Sequence, residues 1–327
     1  MFNFPRSSSR ISHLLFPALL VLLPAPSQAQ NFPTKPIRFI IPSVAGSAPD
    51  INARRVAQPL SVALGQPVIV ENKPGGKGVI AAREVARSAP DGHTLKYGYI
   101  NDVLLEFTAN AQYAWSRNFV PVTRLHSTPY IIVVHPSVEA GSLKEMIALA
   151  KAKPGSFTFA SSGTGGGASI YGALINNVTG IEMLEVPYKS LGAGIPDLIA
   201  GRILVAFDLF PVVSPYINSG KLRALAVTQA RRLSVLPDIP TVAESGFTGI
   251  EMTLFGGILV RAGTPPPVVR LLHQHVANII NAPDYKALTH AIGSEPGGDS
   301  PEEFAAFLRA ETDKLAKLIK ATGIKIE

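Results

Sequence analysis

The sequence contains no cysteine among its 327 residues. It therefore has no thiol nucleophile, no disulfide, no cysteine-based metal site and no cysteine for lipid attachment. Charged residues make up 16% and aromatic residues 7% of the chain, whereas glycine and proline each occur 28 times. This composition is typical of a loop-rich α/β protein rather than of a helical bundle or a disordered chain. The length is enough for two domains of ordinary size.

A membrane-spanning run is also missing near the N-terminus. The apolar segment Leu14–Leu23 is about ten residues long, half of the roughly twenty that a spanning helix needs, and prolines interrupt or follow it. Arg6 and Arg10 precede this segment, and Ser27–Ala29 fits the small-x-small rule for cleavage. The pattern predicts a signal peptide over residues 1–29, cleaved after Ala29, rather than a membrane anchor. We therefore expect an exported protein in the periplasm.

The chain has no concentrated positive patch. Its formal net charge is +7, and without Arg6 and Arg10 the remaining 28 basic residues exceed the 23 acidic ones by five. The lysines and arginines are scattered and have no aromatic residues interleaved with them, which favours a solvated surface. We expect no nucleic-acid partner.

Several enzyme signatures are absent from the sequence. It contains no Gly-x-Ser-x-Gly elbow, no His-Glu-x-x-His and no phosphate-binding Gly-x-x-x-x-Gly-Lys-Ser/Thr loop. The glycines of residues 163–167 resemble a dinucleotide fingerprint only loosely, because the acidic residue about twenty positions later, Glu185, falls inside a predicted strand. The pattern predicts no catalytic residue, no metal and no cofactor.

One stretch near the new N-terminus combines a strand, a small-residue loop and a helix. Ile37–Ile41 is apolar and β-branched, Ser43–Pro49 carries no bulky side chain, and Asp50 is in a position to cap a helix running to Gly65. Such a helix start offers unpaired N–H groups and a positive dipole end, which suit a carboxylate or phosphate. The alternative is an ordinary strand-to-helix connection without a ligand.

The same arrangement recurs later in the chain. Phe157–Ala160 reads as a strand, Ser161–Ser169 as a glycine-rich loop, and Ile170–Asn177 as a helix. Strands and helices alternate over most of the sequence, which predicts an α/β fold with mainly parallel sheets flanked by helices. Two similar loops, one in each half, then become the candidates for ligand binding.

Ordered motifs across the whole chain after residue 29 resemble the Bug family, the periplasmic substrate-binding proteins of tripartite tricarboxylate transporters. The motifs that carry this resemblance are KPIR (35–38), LGQPVIVENKPG (64–75), APDGHTL (89–95), VPYK (186–189), GKLRALAVT (220–228), DIPTVAESG (238–246) and AGTP (262–265).

The resemblance implies a two-lobed, type II-like periplasmic-binding-protein fold with two interlobe crossings, near Pro129 and Thr228. Residues 31–128 with 229–327 would form lobe 1, and 129–228 lobe 2. It also implies a small carboxylate held between the lobes, a monomer, and delivery to membrane permease subunits of the tricarboxylate-transporter type. The alternatives are a periplasmic sensor partner or an enzyme that uses the same cleft.

The ligand contacts that we predict lie in the two loops and just beyond nearby strands. Asp50 would cap the helix first and touch ligand or water second, Tyr188 and Lys189 would reach the cleft or pack, and Asp208 would accept from the ligand or cap a turn. Asn101 would rim the cleft, with simple packing as its alternative. The full set is Ser43, Val44, Ala45, Gly46, Ser47, Ala48, Asp50, Asn101, Ser162, Gly163, Thr164, Gly165, Gly166, Ser169, Tyr188, Lys189 and Asp208.

The sequence departs from the family pattern at the expected ligand site. The usual first loop is Pro-Phe-Pro-Pro-Gly-Gly-x-x-Asp, whereas residues 42–50 read PSVAGSAPD and keep Pro42, one central glycine and Asp50. Ser169 stands where a histidine is common, and Leu254 where a tryptophan often precedes Phe-Gly. The resemblance therefore implies the fold and the class of protein but not the identity of the ligand.

Overall fold

The computed structural model describes Met1 and residues 32–108, 113–163 and 166–323. The predicted signal peptide, apart from Met1, and the candidate residues Thr164 and Gly165 lie outside these ranges. Within the described ranges, no helix has both the length and the apolar character required to cross a bilayer.

The described elements alternate along the chain as expected for an α/β protein. The strands are β1 (Ile37–Ile41), β2 (Val68–Asn72), β3 (Thr94–Tyr99), β4 (Phe119–Pro129), β5 (Ile131–Val134), β6 (Phe157–Ser161), β7 (Met183–Pro187), β8 (Val205–Asp208), β9 (Arg223–Val227), β10 (Thr253–Arg261) and β11 (Glu295–Pro296). The helices are α1 (Ala48–Leu64), α2 (Val79–Ala86), α3 (Ile100–Leu104), α4 (Trp115–Asn118), α5 (Leu143–Ala152), α6 (Gly167–Thr179), α7 (Ile195–Ile199), α8 (Phe210–Asn218), α9 (Pro266–Asn281), α10 (Pro283–Ala291) and α11 (Pro301–Thr322).

These strands form two sheets flanked by helices, which confirms the predicted two-lobed α/β fold. The sheets are mixed rather than mainly parallel, because the strands next to the crossings run antiparallel to their neighbours. The first has the order β11-β4-β10-β3-β1-β2 and the second β7-β6-β8-β5-β9. Strand β1 pairs in parallel with β2 and β3, whereas β10 pairs antiparallel with β3 and β4. In the second sheet β6 is parallel to β7 and β8, and β5 is antiparallel to β8 and β9. Strands β4 and β5 flank the first crossing and β10 follows the second, and each of the three has antiparallel neighbours.

Three chain segments meet where the sheets join, and the Thr228 side chain connects them. The Thr228 hydroxyl accepts from the Tyr130 N–H at 2.9 Å and donates to the Met252 carbonyl at 2.5 Å. The backbone of Thr228 adds bonds to Tyr130 and Met252 at 3.0 and 2.9 Å. Thr228 is fully buried, so water does not compete for these hydrogen bonds. They fix the positions of the crossing segments relative to one another.

The segment after Thr228 packs with the second sheet before the chain returns to the first. Thr241 forms a parallel bridge to Val227 of β9. Leu233 and Ile239 belong to the same apolar cluster as Val133 and Ala206 of the second sheet. The chain returns to the first sheet only at Thr253, where β10 begins. The segment between Thr228 and Thr253 therefore covers the second sheet, and the lobe boundary near Thr228 stays a prediction.

An apolar core runs from one sheet to the other through helices α6 and α11. Phe304 and Leu308 of α11 belong to one buried cluster with Tyr171 and Ile175 of α6. Helix α11 begins with a capping box, in which the Ser300 hydroxyl accepts from the Glu303 N–H. Helix α11 therefore docks on the body as its apolar face predicts.

Candidate functional site

A cavity of about 360 Å³ lies between the two sheets. On the side of the first sheet, the cavity is lined by the start of α1, the end of β3, strand β4 and strand β10. On the side of the second sheet, it is lined by Leu209 and Pro211, which follow β8. In α/β proteins ligands collect beyond the carboxyl ends of parallel strands. The volume falls at the small end of the range for ligand pockets, so the cavity suits a small metabolite.

The first predicted loop reaches this cavity at the start of α1. Ala48 and Pro49 line the cavity, whereas Val44, Ala45 and Gly46 are exposed and Ser43 and Ser47 are partly buried. The helix begins three residues earlier than predicted, since Ser47 and not Asp50 is the N-cap. Pro49 explains this difference, because its fixed φ favours the first helical turn.

Asp50 organises the first loop from inside the helix. Its carboxylate, 3% exposed, accepts from the Gly46 N–H at 2.9 Å, the Asn72 amide at 2.9 Å and the Arg54 guanidinium at 3.0 Å. Burial by itself would raise the pKa of Asp50, but these donors outweigh burial and leave the pKa below its usual value. The side chain is therefore engaged in holding the loop.

The backbone amides of the first loop divide into two groups. The Gly46 N–H donates to Asp50 and the Ser47 N–H donates to the Val44 carbonyl at 3.3 Å. Among the described residues, no acceptor receives the N–H groups of Val44, Ala45 and Ala48. These three amides, at a helix start, are the ones left for an anion.

The second predicted loop satisfies part of its own backbone. The Gly163 N–H donates to the Ser161 hydroxyl and the Gly166 N–H donates to the Gly163 carbonyl, both at 2.9 Å. Ser162 is exposed. Gly167 begins α6 so close to Tyr130 that a Cβ there would lie 2.2 Å from the Tyr130 hydroxyl, and it would lie 3.8 Å from the side chain of Leu254. Leu254 lines the cavity, so α6 begins beside the cavity wall.

The remaining candidates bind protein groups. The Ser169 hydroxyl donates to Glu185 at 3.0 Å, and the Tyr188 hydroxyl donates to Asp197 at 2.5 Å. Asn101 donates from its amide to the Lys77 carbonyl at 3.3 Å, and Lys189 is exposed. Of the candidates within the described ranges, Ala48 alone lines the cavity.

Asp208 ends β8 next to the cavity residue Leu209. It is 4% exposed, and its carboxylate accepts from the Leu209 N–H at 2.8 Å. Burial raises the pKa of Asp208 to about 6, although the Leu209 N–H opposes this shift. Helix α8 begins after Leu209, without a side-chain cap, so the role of Asp208 as a ligand contact or a cap stays a prediction.

The sequence did not single out the polar side chains that line the cavity. The His126 Nε2 lies 3.0 Å from both the Asn52 amide nitrogen and the Tyr97 hydroxyl, and its Nδ1 lies 3.3 Å from the Thr128 hydroxyl. Thr128 continues the chain to the Ser294 hydroxyl at 2.7 Å. Burial, followed by the charges of Arg55 and Arg124, lowers the pKa of His126 to about 4. This side of the cavity is therefore a neutral hydrogen-bonding network at pH 7.

Helical spacing could have found one part of this lining. Ala48, Asn52 and Arg55 are four and then three residues apart on α1, so they share one face, and all three line the cavity. His126, Thr128 and Ser294 meet them through tertiary packing alone, which leaves no local signal in the sequence.

A cavity between two mixed α/β sheets, where β3, β4 and β8 end, is the architecture of a two-lobed solute-binding protein. The profile of the tripartite tricarboxylate transporter family receptors matches residues 52–324. The chain belongs to this receptor family.

Individual relatives agree with this assignment. BugT of Bordetella pertussis is 31% identical over 306 residues, covering 93% of this chain and 94% of BugT. Rpa4515 of R. palustris, solved with adipate, is 30% identical with a TM-score of 0.74, covering 90% of this chain and 99% of that one. A TctC solute-binding protein from Polaromonas, 24% identical, shares the fold with a TM-score of 0.81 and covers 89% of this chain and 99% of its own.

Proposed function

We propose that this protein is exported to the periplasm, loses its signal peptide after Ala29, and captures a small carboxylate between its lobes. The observation that carries this proposal is the cavity of about 360 Å³ between the two sheets, with the start of α1 at its edge. The groups that we propose as carboxylate donors are the amides of Val44, Ala45 and Ala48 and the second loop over residues 162–166, apart from the Gly163 and Gly166 amides that already donate within the protein. Rpa4515, solved with adipate, supports this class of ligand.

The expected affinity follows from the available donors. Hydrogen bonds to a charged acceptor contribute about 1.5–3 kcal/mol each, and a helix start adds up to about 2 kcal/mol. Together with the helix start, four or five such bonds give about 6–17 kcal/mol, and association costs at least about 4 kcal/mol. The middle of the remaining range corresponds to roughly micromolar binding.

We further propose that the bound acid is handed unchanged to membrane permease subunits of the tricarboxylate-transporter type, and that the receptor acts as a monomer. Closure of the lobes about the Thr228 region would bring both lobe faces together, which gives the permease a signal that ligand is present. Chemical analysis of the acid after incubation tests this, since an enzyme would convert the acid and a receptor returns it.

Two measurements test the proposed function. Native mass spectrometry of the protein as purified should show a co-purified organic acid, and calorimetry against a panel of carboxylates should then give its affinity. Ala48→Leu places a bulky side chain in the cavity and should weaken binding about tenfold or more. Ala63→Leu, on the exposed face of the same helix, is the matched control and should bind as the wild type does. Flat titrations over the whole panel would contradict the proposal.

A further inference from the structure

Two neighbouring arginines of α1 have different surroundings. Arg54 is held by the Asp50 carboxylate, with Nε at 3.0 Å, and also contacts Asn72. Arg55 is partly buried and lines the cavity. Within residues 32–108, 113–163 and 166–323, no hydrogen-bond acceptor or carboxylate pairs with Arg55. Consecutive helix positions point about 100° apart, so Arg54 braces the loop while Arg55 faces the cavity.

The charge of Arg55 is not offset by the groups around it. Arg124, the other arginine whose charge acts on His126, is neutralised by Asp299 at 2.7 Å and stacks on the ring of Phe307. The side chains of Asn52, Tyr97 and Thr128 are neutral hydrogen-bonding groups. A partly buried cation without a counter-charge loses hydration that nothing in the protein replaces. An anionic group of a ligand would supply that counter-charge.

The position of Arg55 sets where this second anionic group would lie. Ala48, beside the amides proposed for the first carboxylate, and Arg55 are seven residues apart, or about 10 Å along α1. Helical side chains lean toward the N-terminus, so the guanidinium lies closer to Ala48 than the backbone does. Ile51, Ile100 and Leu254 provide apolar walls of the same cavity.

We propose that Arg55 is a specificity-determining residue that selects acids carrying a second carboxylate at the far end of an apolar chain. This inference rests on the proposed function, because it assumes that the first carboxylate binds at the start of α1. Arg55 pairs with the remote carboxylate, while Asn52 and the network around His126 offer neutral hydrogen bonds beside it.

Paired ligands test this inference. Calorimetry compares diacids from succinate to suberate with monoacids of the same chain length, so adipate is compared with hexanoate. The wild type should bind the best diacid about tenfold to hundredfold more tightly than its monoacid, the range expected for a hydrogen-bonded charge pair. In Arg55→Met this ratio should fall to about one while the affinity for the monoacid stays unchanged. Arg55→Lys should keep part of the ratio, since it keeps the charge but loses the planar fork.

Controls separate this inference from the proposed function. Arg270→Met removes an exposed helical arginine outside the cavity lining, so it should leave the ratio of diacid to monoacid unchanged. Thermal unfolding of each variant checks that it is folded. If acids bind and Arg55→Met keeps the wild-type ratio, the role of Arg55 is overturned and the proposed function stands. If no acid of either series or of the wider panel binds the wild type, both are overturned.

Discussion

Replacing Asp50 with asparagine tests how the first loop is held. Asp50 is 3% exposed and accepts hydrogen bonds from Gly46, Asn72 and Arg54. Asparagine keeps the shape but removes the charge and puts an amide N–H among these donors. The loop that ends at the cavity residue Ala48 then loses its brace, so the variant should be less stable and should bind ligand more weakly.

The size of the effect follows from the partners. The bonds from Gly46 and Asn72 to a charged acceptor contribute about 1.5–3 kcal/mol each. Gly46 is exposed and recovers part of its bond from water. The Arg54 side chain is 52% exposed, so its ion pair adds only about 0–1 kcal/mol. Together these terms predict a loss of about 2–4 kcal/mol in the free energy of unfolding at pH 7.

Urea denaturation at several pH values measures this loss. The pKa of Asp50 is lowered in the folded protein, so its stabilisation is fully present above the unfolded pKa of about 3.9 and is lost as pH falls through the folded pKa. The difference between wild type and Asp50→Asn should therefore shrink below about pH 4. Asp313→Asn, an exposed helical acid, is the control and should stay within about 0.5 kcal/mol of the wild type. An Asp50→Asn variant as stable as this control would refute the reasoning.

Three further substitutions have defined outcomes. Lys96→Met leaves the Asp102 carboxylate, 2.5 Å from the Lys96 amine, buried without its partner and should cost about 3–5 kcal/mol, most of which Lys96→Met with Asp102→Leu should restore. Asp208→Asn should raise the free energy of unfolding at pH 7 by about 2 kcal/mol. The folded pKa of Asp208 is raised to about 6, so ionising the carboxyl lowers the stability of the wild type as pH rises from about 4 to about 6, and asparagine avoids this loss. Thr228→Val should cost about 1–3 kcal/mol by leaving the Tyr130 N–H and the Met252 carbonyl without the hydroxyl.

Each of these outcomes is checked by urea denaturation followed by circular dichroism. A Lys96→Met variant that the second substitution does not rescue would show that the loss comes from altered packing. An Asp208→Asn variant with the wild-type dependence of stability on pH would show that Asp208 does not titrate as described. For Thr228, the serine variant keeps the hydroxyl and should retain most of the stability, so a serine variant as unstable as the valine one would contradict the role of the hydrogen bonds.

Local patterns predicted most elements of the fold. Ile37–Ile41 is a strand at the predicted bounds, because a β-branched apolar run ends at a proline. Gly65 ends α1 in the left-handed conformation, φ 65°, which favours glycine. The short helix Ile100–Leu104 was not predicted. The Asp102 carboxylate accepts from the N–H of Tyr99, the N-cap of this helix. Five residues are too few to give a periodic pattern in the sequence.

The candidate site was harder to predict because it is assembled from distant parts of the chain. The pattern of the first loop led to Ala48, which lines the cavity, and to Asp50, whose partner Asn72 comes from the end of β2. The residues that give the cavity its charge and polarity, Arg55 and His126, belong to regular elements and resemble ordinary surface or core residues in the sequence. Only the tertiary structure, in which Asn52 of α1 meets His126 of β4, reveals that they face one cavity.

The central claim is that an organic acid binds between the two sheets. A crystal structure with the tightest-binding acid from the calorimetric panel tests it directly. The account predicts density for the acid in the cavity, with one carboxylate beside the amides of Val44, Ala45 and Ala48 and with Leu209 across the cleft. An acid bound elsewhere on the molecule, with this cavity filled by water alone, would contradict the account.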